Sequence, residues 1–312
     1  MSFLGLDVGG TKCRFEWWPR GCAAGGDAPT ARLALGDPEA SVQLLCDLIA
    51  RAVGAGRPPE ALVCAVAGCG ERAVAEGLAQ ALRPRVGAPV AVVGDVMAAA
   101  AAGLRDGPGL LLWSGTGSFA IARDDAGELV RVGGRGYAFG DEGSGYDLVR
   151  RSIIGVLRAV DGRGRETSLT SSLTEAFGAS APQRLGAVAQ RLAPGEVAAR
   201  LPVVLDAFEA GDWLAADVLM VGLRQLVEAG EVALRRVGLK PADGMRVAVG
   251  GGVMRSDVLR EGLERLAQAA FEVEVEVLPV GVHDAAAGAA WLAAGWHAGA
   301  QPQQRWVANV AL

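Results

Sequence analysis

Two short glycine turns in this sequence carry the residue types that bind phosphate. In the first, LDVGGTK, Gly9 and Gly10 follow an apolar run and precede Thr11 and Lys12. Because glycine has no Cβ, the backbone N–H groups of such a turn can approach a bulky anion closely. Successive N–H groups form a concave anion site, to which Thr11 adds a hydroxyl and Lys12 a charge. The turn predicts a phosphate site, although a plain glycine hairpin would have the same composition.

A second turn of the same kind lies about a hundred residues further on. It reads SGTGS and consists of Ser114, Gly115, Thr116, Gly117 and Ser118. It is not a Walker A loop, because G-x-x-x-x-G-K-[ST] is absent. A G-x-G-x-x-G that opens a helix is also absent, which disfavours a dinucleotide fold. The two turns together predict that one nucleotide lies in a cleft between two lobes, each of which supplies one turn.

Two aspartates stand at the ends of predicted strands. Asp7 precedes the first turn, and a carboxylate beside phosphates would repel them unless Mg²⁺ or its water shell lay between. Asp95 follows the apolar run 90–94 and begins a helix. A helix cap is the ordinary structural explanation for Asp95. A general base that takes the proton from a sugar hydroxyl during phosphoryl transfer would occupy the same kind of position.

Two further glycine-rich stretches could line a ligand pocket. Gly250, Gly251 and Gly252 follow a buried-looking strand and could let adenosine approach the backbone, or could simply form a tight turn. The stretch GGRGYAFGDEGSGY, residues 133–146, crowds glycines before Asp141 and Glu142. We expect these two acidic residues to begin a helix, where their negative charges would interact favourably with the positive end of the helix dipole.

The order of predicted elements repeats along the chain. Strand, strand, strand and helix occur twice, each time with a glycine hairpin between the first two strands. We expect two related α/β lobes, the first at 1–105 and the second at 106–283. A C-terminal helix at 284–312 is expected to brace the first lobe. In the first lobe the predicted strands are 3–8, 13–18, 31–35, 61–67 and 90–94, with helices at 40–54, 71–83 and 96–104. In the second they are 109–113, 118–123, 128–132, 245–249 and 271–277, with helices from about 141 to 160, over parts of 183–237 and from Ser256, and a loop-rich insert at 161–182. The C-terminal helix that braces the first lobe is predicted at about 284–298.

Composition and charge exclude several classes of protein. The chain has 312 residues, 51% of them apolar and 21% charged, which is material for two cores. Its net charge of −5, without a basic cluster, argues against nucleic-acid and membrane-surface partners. No apolar run is long enough for a membrane span and no signal peptide is evident, so we expect a cytoplasmic protein. Five cysteines without a C-x-x-C pair and two histidines favour neither disulfides nor a structural zinc site.

These pieces, in this order, resemble the sugar kinase branch of the actin-like ATPase superfamily. They are most similar to the N-acetylglucosamine and glucosamine kinases of the BadF/BadG/BcrA/BcrD-type ATPase group. DVGGTK and SGTGS resemble the two phosphate motifs, VAVGGGV the adenosine motif, and VVGDVMAAAAAG the connecting segment with the catalytic aspartate. GDEGS is the most specific piece, and the likeness spans almost the whole chain. It implies a duplicated actin-like ATPase (ribonuclease H-like) α/β fold.

The resemblance also implies roles for individual residues. Asp95 would be the catalytic base and would bind the sugar, together with Gly134 and Asp141. Asp7 would act on Mg²⁺ through water. The phosphates of ATP would contact the two turns, through Gly9, Gly10, Thr11, Lys12, Ser114, Gly115, Thr116, Gly117 and Ser118. Adenosine would contact the third glycine run, Gly250, Gly251 and Gly252. The implied activity is ATP-dependent phosphorylation of an amino sugar at its 6-hydroxyl, by a homodimer.

The sequence departs from the family pattern on the substrate side. Arg135 stands where the family's G-G-W-G has tryptophan, and the stretch 34–41 lacks the asparagine that often follows the third strand. The hairpin after EWW is also short. Trp17 and Trp18 could stack on a sugar or serve in packing. The sequence therefore does not choose between glucosamine, N-acetylglucosamine, a muramic acid and glucose.

Two other functions are compatible with the same scaffold. One is an ATPase activator of a CoA dehydratase or reductase, which would need cysteines for an iron–sulfur cluster; Cys64 and Cys69 are the candidates. The other is a non-catalytic sugar sensor, which would gain little from an intact Asp95.

Overall fold

The protein is described by a computed structural model that covers residues 1–9, 12–19, 25–29, 37–105, 107–242, 245–272, 275–279 and 284–297. The strands are β1 (Phe3–Val8), β2 (Lys12–Trp18), β3 (Gly26–Pro29), β4 (Ala61–Val66), β5 (Val90–Gly94), β6 (Gly109–Ser114), β7 (Ser118–Arg123), β8 (Leu129–Gly133), β9 (Met245–Gly250) and β10 (Val275–Pro279). The helices are α1 (Pro38–Val53), α2 (Arg72–Leu82), α3 (Asp95–Leu104), α4 (Gly145–Val160), α5 (Leu169–Ala176), α6 (Leu185–Ala189), α7 (Pro194–Ala198), α8 (Leu201–Glu209), α9 (Trp213–Val237), α10 (Asp257–Phe271) and α11 (Asp284–His297).

The strands form two five-stranded sheets with the same order. The first is β3-β2-β1-β4-β5, and the second, taken from its other edge, is β8-β7-β6-β9-β10. In the first sheet β1 pairs antiparallel with β2 and parallel with β4. In the second, β6 pairs parallel with β9. The predicted repeat of element order is confirmed, and the two glycine turns follow equivalent strands, β1 and β6.

The chain divides into two compact units, and each has its own apolar core. The first unit lies within residues 1–108, 123–130 and 280–312, and the second within 109–122 and 131–279. The core of the first contains Leu4, Leu6, Leu45 and Leu62, all of them fully buried or nearly so. The second is built around β6, β9 and the helices α4, α8, α9 and α10.

Helix α11 packs against β1, β2, β4 and α3 of the first unit. Small residues on both sides let these elements approach closely. A Cβ on Gly5 of β1 would lie 2.1 Å from the carbonyl oxygen of Ala286, and one on Gly288 would lie 2.3 Å from that of Ala98. Real Cβ atoms do not come so near to backbone, so these two glycines set the distance at which α11 packs.

Several predicted boundaries are wrong, for identifiable reasons. The insert 161–182 contains α5, because Leu169 and Leu173 are buried one helical turn apart among the serines and threonines that suggested a loop. The predicted strand 271–277 begins too early: Phe271 is the last residue of α10 and extends the buried series Leu259, Leu263 and Ala267. The third strand is β3 at Gly26–Pro29, whereas the predicted 31–35 lies outside the described residues.

No described helix is both long enough and apolar enough to cross a lipid bilayer.

The packing of α11 gives a prediction with a matched pair of substitutions. Gly288→Ala would push a methyl group into the backbone of α3, and we expect a loss of about 1–3 kcal/mol of unfolding free energy. Gly295→Ala lies in the same helix, where a Cβ would meet no other atom within 4 Å. That variant should be as stable as the wild type or gain up to about 1 kcal/mol from better helix propensity. Urea denaturation of both variants tests the pair, and equal midpoints would contradict the close packing.

Candidate active site

The second glycine turn is tied to the loop 141–145 by its own hydroxyl groups. Ser114 Oγ donates to the carbonyl oxygen of Gly143 at 2.7 Å, and Ser118 Oγ donates to that of Glu142 at 2.7 Å. Ser114 is completely buried. The two serine hydroxyl protons, which were expected to meet phosphate, are therefore used inside the protein to join two motifs.

Asp141 makes a third link between the same two segments. Its carboxylate accepts hydrogen bonds from the backbone N–H groups of Gly136, at 3.2 Å, and Ser118. A Cβ on Gly117 would lie 2.8 Å from Asp141 Oδ2, so this carboxylate fits only against a glycine. Burial raises the pKa of Asp141, and the two hydrogen bonds oppose that rise.

These links narrow the set of donors that could bind phosphate. The N–H of Gly115 donates to the carbonyl oxygen of Gly117 at 2.8 Å and closes the turn. Within the described part of the chain, no residue accepts a hydrogen bond from the N–H groups of Thr116 or Gly117. Thr116 is exposed. Of the predicted phosphate ligands in this turn, Thr116 and Gly117 are thus the ones whose N–H groups have no acceptor among the described residues.

The loop after Asp141 is not yet helical, contrary to the sequence prediction. Asp141 has φ +57°, in the left-handed region that few non-glycine residues adopt, so it cannot begin a right-handed helix. Helix α4 begins at Gly145, and Ser144 caps it by accepting from the N–H of Asp147 at 3.2 Å. Backbone strain of this kind often accompanies a functional site.

Asp147 is a buried residue that the sequence analysis missed. Its carboxylate accepts from the N–H of Gly143 at 3.1 Å and from Nε of Arg151 at 2.7 Å. It therefore fixes the loop that holds the second turn. The sequence signal was the spacing S-x-x-D at Ser144 and Asp147, which resembles a capping box before an apolar helix.

The third glycine run lies beside the second turn because β9 and β6 are parallel neighbours. Trp113 at the end of β6 stands opposite Gly250 at the end of β9. Gly251 has φ +94°, and a Cβ there would lie 2.2 Å from the carbonyl oxygen of Ser114. Gly251 thus packs on the backbone of the second turn, whereas a Cβ on Gly252 would meet no atom within 4 Å.

A cavity of about 550 Å³ opens where these two motifs meet. Its volume is within the usual range for a small-molecule site. Of the residues that line it, Gly115, Thr116 and Gly252 were predicted ligand-binding residues, whereas the apolar wall from α7 and α8 and the polar residues before α10 were not predicted from the sequence. The lining residues are Gly115, Thr116, Gly145, Gly195, Ala198, Ala199, Leu201, Pro202, Leu205, Gly252, Val253, Arg255 and Ser256.

In the first unit, parallel strands bring Asp7 and Asp95 to one edge of the sheet. Asp7 pairs with Ala65 of β4, which pairs with Val93 of β5, two residues before Asp95. Two strand spacings separate the chains by roughly 10 Å. Asp95 is half-buried at the start of α3, and its Oδ1 accepts from the N–H of Val96 at 3.0 Å.

The carboxylate of Asp7 is in an unfavourable place for a negative charge. Burial raises its pKa to about 6, the negative charge of Asp95 adds to the rise, and the guanidinium of Arg14 opposes it. The distance from Arg14 Nη1 to Asp7 Oδ2 is 3.8 Å, which is a loose ion pair. A site that needs more positive charge fits a divalent cation. No cluster of three metal-ligating side chains occurs in the described part.

The first glycine turn is only partly described. The N–H of Gly9 donates to the carbonyl oxygen of Lys12 at 2.9 Å, so it closes the hairpin and is not available to phosphate. Lys12 is exposed. Gly10 and Thr11 lie outside the described residues.

Gly134 and the two tryptophans complete the predicted substrate side. Gly134 has φ +69°, and a Cβ there would lie 3.2 Å from the Cβ of Phe119. Trp17 is buried in the core of the first unit, which supports its role in packing. The ring of Trp18 lies 5.2 Å from the guanidinium carbon of Arg105.

The cysteines in the described residues act as core groups. Cys13, Cys64 and Cys69 are buried, and Cys46 is partly buried. Burial raises the pKa of Cys69 to about 11, which keeps its thiol protonated. Neither Cys64 nor Cys69 is placed to hold an iron–sulfur cluster at the surface, which weighs against the activator hypothesis.

The sequence profile of the BadF/BadG/BcrA/BcrD ATPase family matches residues 4–293. An N-acetylmuramic acid/N-acetylglucosamine kinase of Clostridium acetobutylicum is 32% identical over 139 residues, which are 44% of this chain and 45% of that protein. An N-acetyl-D-glucosamine kinase of Dictyostelium discoideum is 27% identical over 161 residues, 50% of each chain. The matched segments thus span about half the length of these curated relatives.

A solved structure is similar over nearly its whole length. It is a protein of Chromobacterium violaceum provisionally identified as an N-acetylglucosamine kinase, with 25% identity, a TM-score of 0.69, and coverage of 93% of this chain and 98% of that one. This likeness confirms the predicted two-lobe α/β fold.

The neighbouring glycines of the third run should respond differently to the same substitution. Gly251→Ala would place a methyl group on a residue with left-handed backbone, where it would collide with the carbonyl oxygen of Ser114. We therefore expect a clearly lower melting temperature. Gly252→Ala should keep the melting temperature and instead weaken adenine-nucleotide binding several-fold, because its methyl group would enter the cavity. Differential scanning calorimetry and titration with an ATP analogue test both. Tight nucleotide binding by Gly252→Ala would contradict the cavity assignment.

The raised pKa of Asp7 predicts a pH dependence of stability. Between its unfolded pKa of 3.8 and its folded pKa of about 6, the folded state binds more protons, so this group lowers stability as pH rises through that window. The lost stability reaches about 3 kcal/mol above pH 6. Asp7→Asn should remove this loss, and its advantage over the wild type should grow from pH 4.5 to pH 7.

Urea midpoints in EDTA at several pH values measure this difference. Asp27→Asn is the matched control, because Asp27 also pairs with Arg14 but is half exposed. A constant difference between Asp7→Asn and the wild type across this range would show that Asp7 is not an unfavourably buried carboxylate.

Proposed function

Because the chain belongs to the BadF/BadG/BcrA/BcrD ATPase family, we propose that it is an ATP-dependent kinase of an amino sugar. It would transfer the γ-phosphoryl group of ATP to the 6-hydroxyl of N-acetylglucosamine or glucosamine. The observation that carries the proposal is the cavity at which the second turn and the third glycine run meet. The names of the two curated relatives support the choice of acceptor.

The residues that line the cavity would suit an adenine base. Leu201, Pro202 and Leu205 give it an apolar wall against which a base can pack. Gly252 presents backbone without a side chain on the opposite motif, and Gly250 and Gly251 hold that backbone against β6. These features support the prediction of an adenosine site at this run, which remains a proposal.

Phosphate binding would use the donors that the fold leaves available. In the second turn these are the N–H groups of Thr116 and Gly117 and the Thr116 hydroxyl. Ser114, Gly115 and Ser118 would act indirectly, by holding the turn in shape. In the first turn, Gly9 would have the same indirect role, and Gly10, Thr11 and the exposed Lys12 remain predicted phosphate ligands.

Asp7 is the residue that would hold magnesium, through a water ligand. When bound, Mg²⁺ supplies positive charge that offsets the charge of the phosphates. Asp7 itself would fix the water that bridges it to the cation, and Arg14 would keep its carboxylate oriented at the end of β1.

Asp95 would act as the general base. As the sugar oxygen attacks the γ-phosphorus and the bond to ADP breaks, the hydroxyl proton would pass to the Asp95 carboxylate. The N–H of Val96 holds one carboxylate oxygen, which orients the group for that transfer. Asp141 would accept a hydrogen bond from another sugar hydroxyl, and Gly134 would let the sugar approach the backbone.

The magnesium requirement and the homodimer remain predictions from the family resemblance, and the cytoplasmic location remains a prediction from the sequence.

Replacing the base tests the proposal directly. Asp95→Asn keeps the size of the side chain but cannot accept the proton, so we expect kcat to fall by about 10²–10⁴-fold with little change in the KM for ATP. The measurement is coupled ADP release with Mg-ATP and N-acetylglucosamine, glucosamine, N-acetylmuramic acid or glucose. Asp47→Asn, on the exposed face of α1, is the matched control.

Two results would contradict the proposal. One is ATP hydrolysis that does not depend on any of the four sugars. The other is sugar-dependent turnover that survives unchanged in Asp95→Asn.

A further inference from the structure

A second cavity, of about 360 Å³, lies in the second unit and shares no lining residue with the cavity proposed for adenosine. It opens where the C-terminal end of α9 meets that of α10. Its volume is within the range of sites for small molecules, roughly 300–1,000 Å³. The proposed kinase reaction assigns no role to the residues that line it.

The two cavities lie at opposite ends of helix α10. Arg255 and Ser256, just before the helix, line the first cavity, whereas Ala270 and Phe271, at its end, line the second. A helix of 15 residues is roughly 22 Å long. The second cavity is therefore a separate place, where a ligand would not touch the nucleotide.

The turn after α9 builds one side of the second cavity. Gly238 ends the helix with φ +78°, in the left-handed region that favours glycine. The N–H of Leu239 then donates to the carbonyl oxygen of Leu234 at 3.0 Å. The chain thus turns back at the helix end, and Leu239 and Lys240 both line the cavity beside Leu234.

The floor of this cavity is apolar. Leu234 and Phe271 belong to the core of the second unit, and Leu239 is partly buried against the same core. Pro241 and Ala270 are exposed residues of the lining. Water in contact with such a surface is released when an apolar group covers it. The cavity therefore favours a ligand with an apolar body.

Three charged side chains line the same cavity, namely Glu231, Arg235 and Lys240, and all three are exposed. Glu231 and Arg235 are four residues apart on α9, a spacing at which opposite charges commonly pair. Among the described residues, none of the three has an ion-pair partner or a side-chain hydrogen bond. Two positive charges and one negative charge leave an excess of one positive charge, which a ligand with one negative charge would balance.

We propose that this cavity binds a small amphipathic anion, that is, a molecule with an apolar body and a single carboxylate. The body would cover Leu234, Leu239 and Phe271. The carboxylate would accept hydrogen bonds from the guanidinium of Arg235 and the ammonium of Lys240. The carboxylate of Glu231 would repel a doubly charged head such as a phosphate dianion more strongly than a single charge. This inference goes beyond the proposed function, because phosphoryl transfer does not require such a ligand.

The test uses octanoate as the probe, titrated calorimetrically into the full chain at pH 8. Octanol, octylamine and octyl phosphate have the same apolar body and differ in the charge of the head. We expect octanoate to bind more tightly than any of the three, and added salt to weaken its binding. A saturating ATP analogue should leave the affinity for octanoate unchanged, because the two cavities are separate.

Two pairs of variants locate the bound probe. Arg235→Gln should weaken the binding of octanoate about three- to tenfold, a modest effect because the pair is open to solvent. Arg236→Gln is its matched control, since Arg236 is exposed in the same last turn of α9 but does not line the cavity. Ala270→Met should also weaken binding, because the longer side chain would occupy the cavity. Its control is Ala269→Met, on an exposed neighbour outside the lining.

Four results would overturn the inference. They are no binding of octanoate, equal affinities for octanoate and octanol or octylamine, displacement of octanoate by the ATP analogue, and equal losses in the two arginine variants. None of them bears on the kinase assignment, which the turnover of sugars by the wild type and by Asp95→Asn tests separately.

Discussion

The second unit depends on the hydrogen bonds that join the turn 114–118 to the loop 141–145. The serine hydroxyls at the two ends of the turn donate to carbonyl groups of the loop, and Asp141 accepts from the turn and from Gly136. A buried polar group that loses its partner costs stability, so none of these groups can shift alone. The turn is thus held in shape by the protein itself, and Asp141, the proposed sugar ligand, is one of the groups that hold it.

The same constraint explains why glycine occurs so often around the site. At Gly117 a side chain would collide with the Asp141 carboxylate, and at Gly251 with the backbone of Ser114. At Gly143 it would lie 2.4 Å from the carbonyl oxygen of Gly222 on α9. These glycines bring four segments together, namely the second turn, the loop 141–145, the third glycine run and α9, whereas Gly252 leaves open space. Glycines that are alike in the sequence therefore have two different physical functions.

The features that could be predicted from the sequence are those that depend on interactions between residues close together in the chain. The repeated element order was predictable, since hydrophobic periodicity and turns are local signals. The start of α4 was not predictable, because acidic residues such as those at 141–142 suit the loop before a helix as well as its first turn. The left-handed conformation of Asp141 accompanies its contacts with Gly136 and Ser118, which the local sequence does not reveal. The apolar wall from Leu201 and Leu205 was also hidden, since nothing local distinguishes a cavity wall from a core.

The two sheets share one topology but differ in the side chains that lie at the ends of equivalent strands. In the first, Asp7 near the end of β1 and Asp95 after β5 place two carboxylates along one edge, which suits a metal ion and a base. In the second, the position equivalent to Asp7 is Trp113, whose ring stacks on that of Phe119 with centroids 6.0 Å apart. A second carboxylate there would repel the phosphates that Thr116 and Gly117 are proposed to bind. The two sheets therefore share one strand order but differ in charge at this strand end.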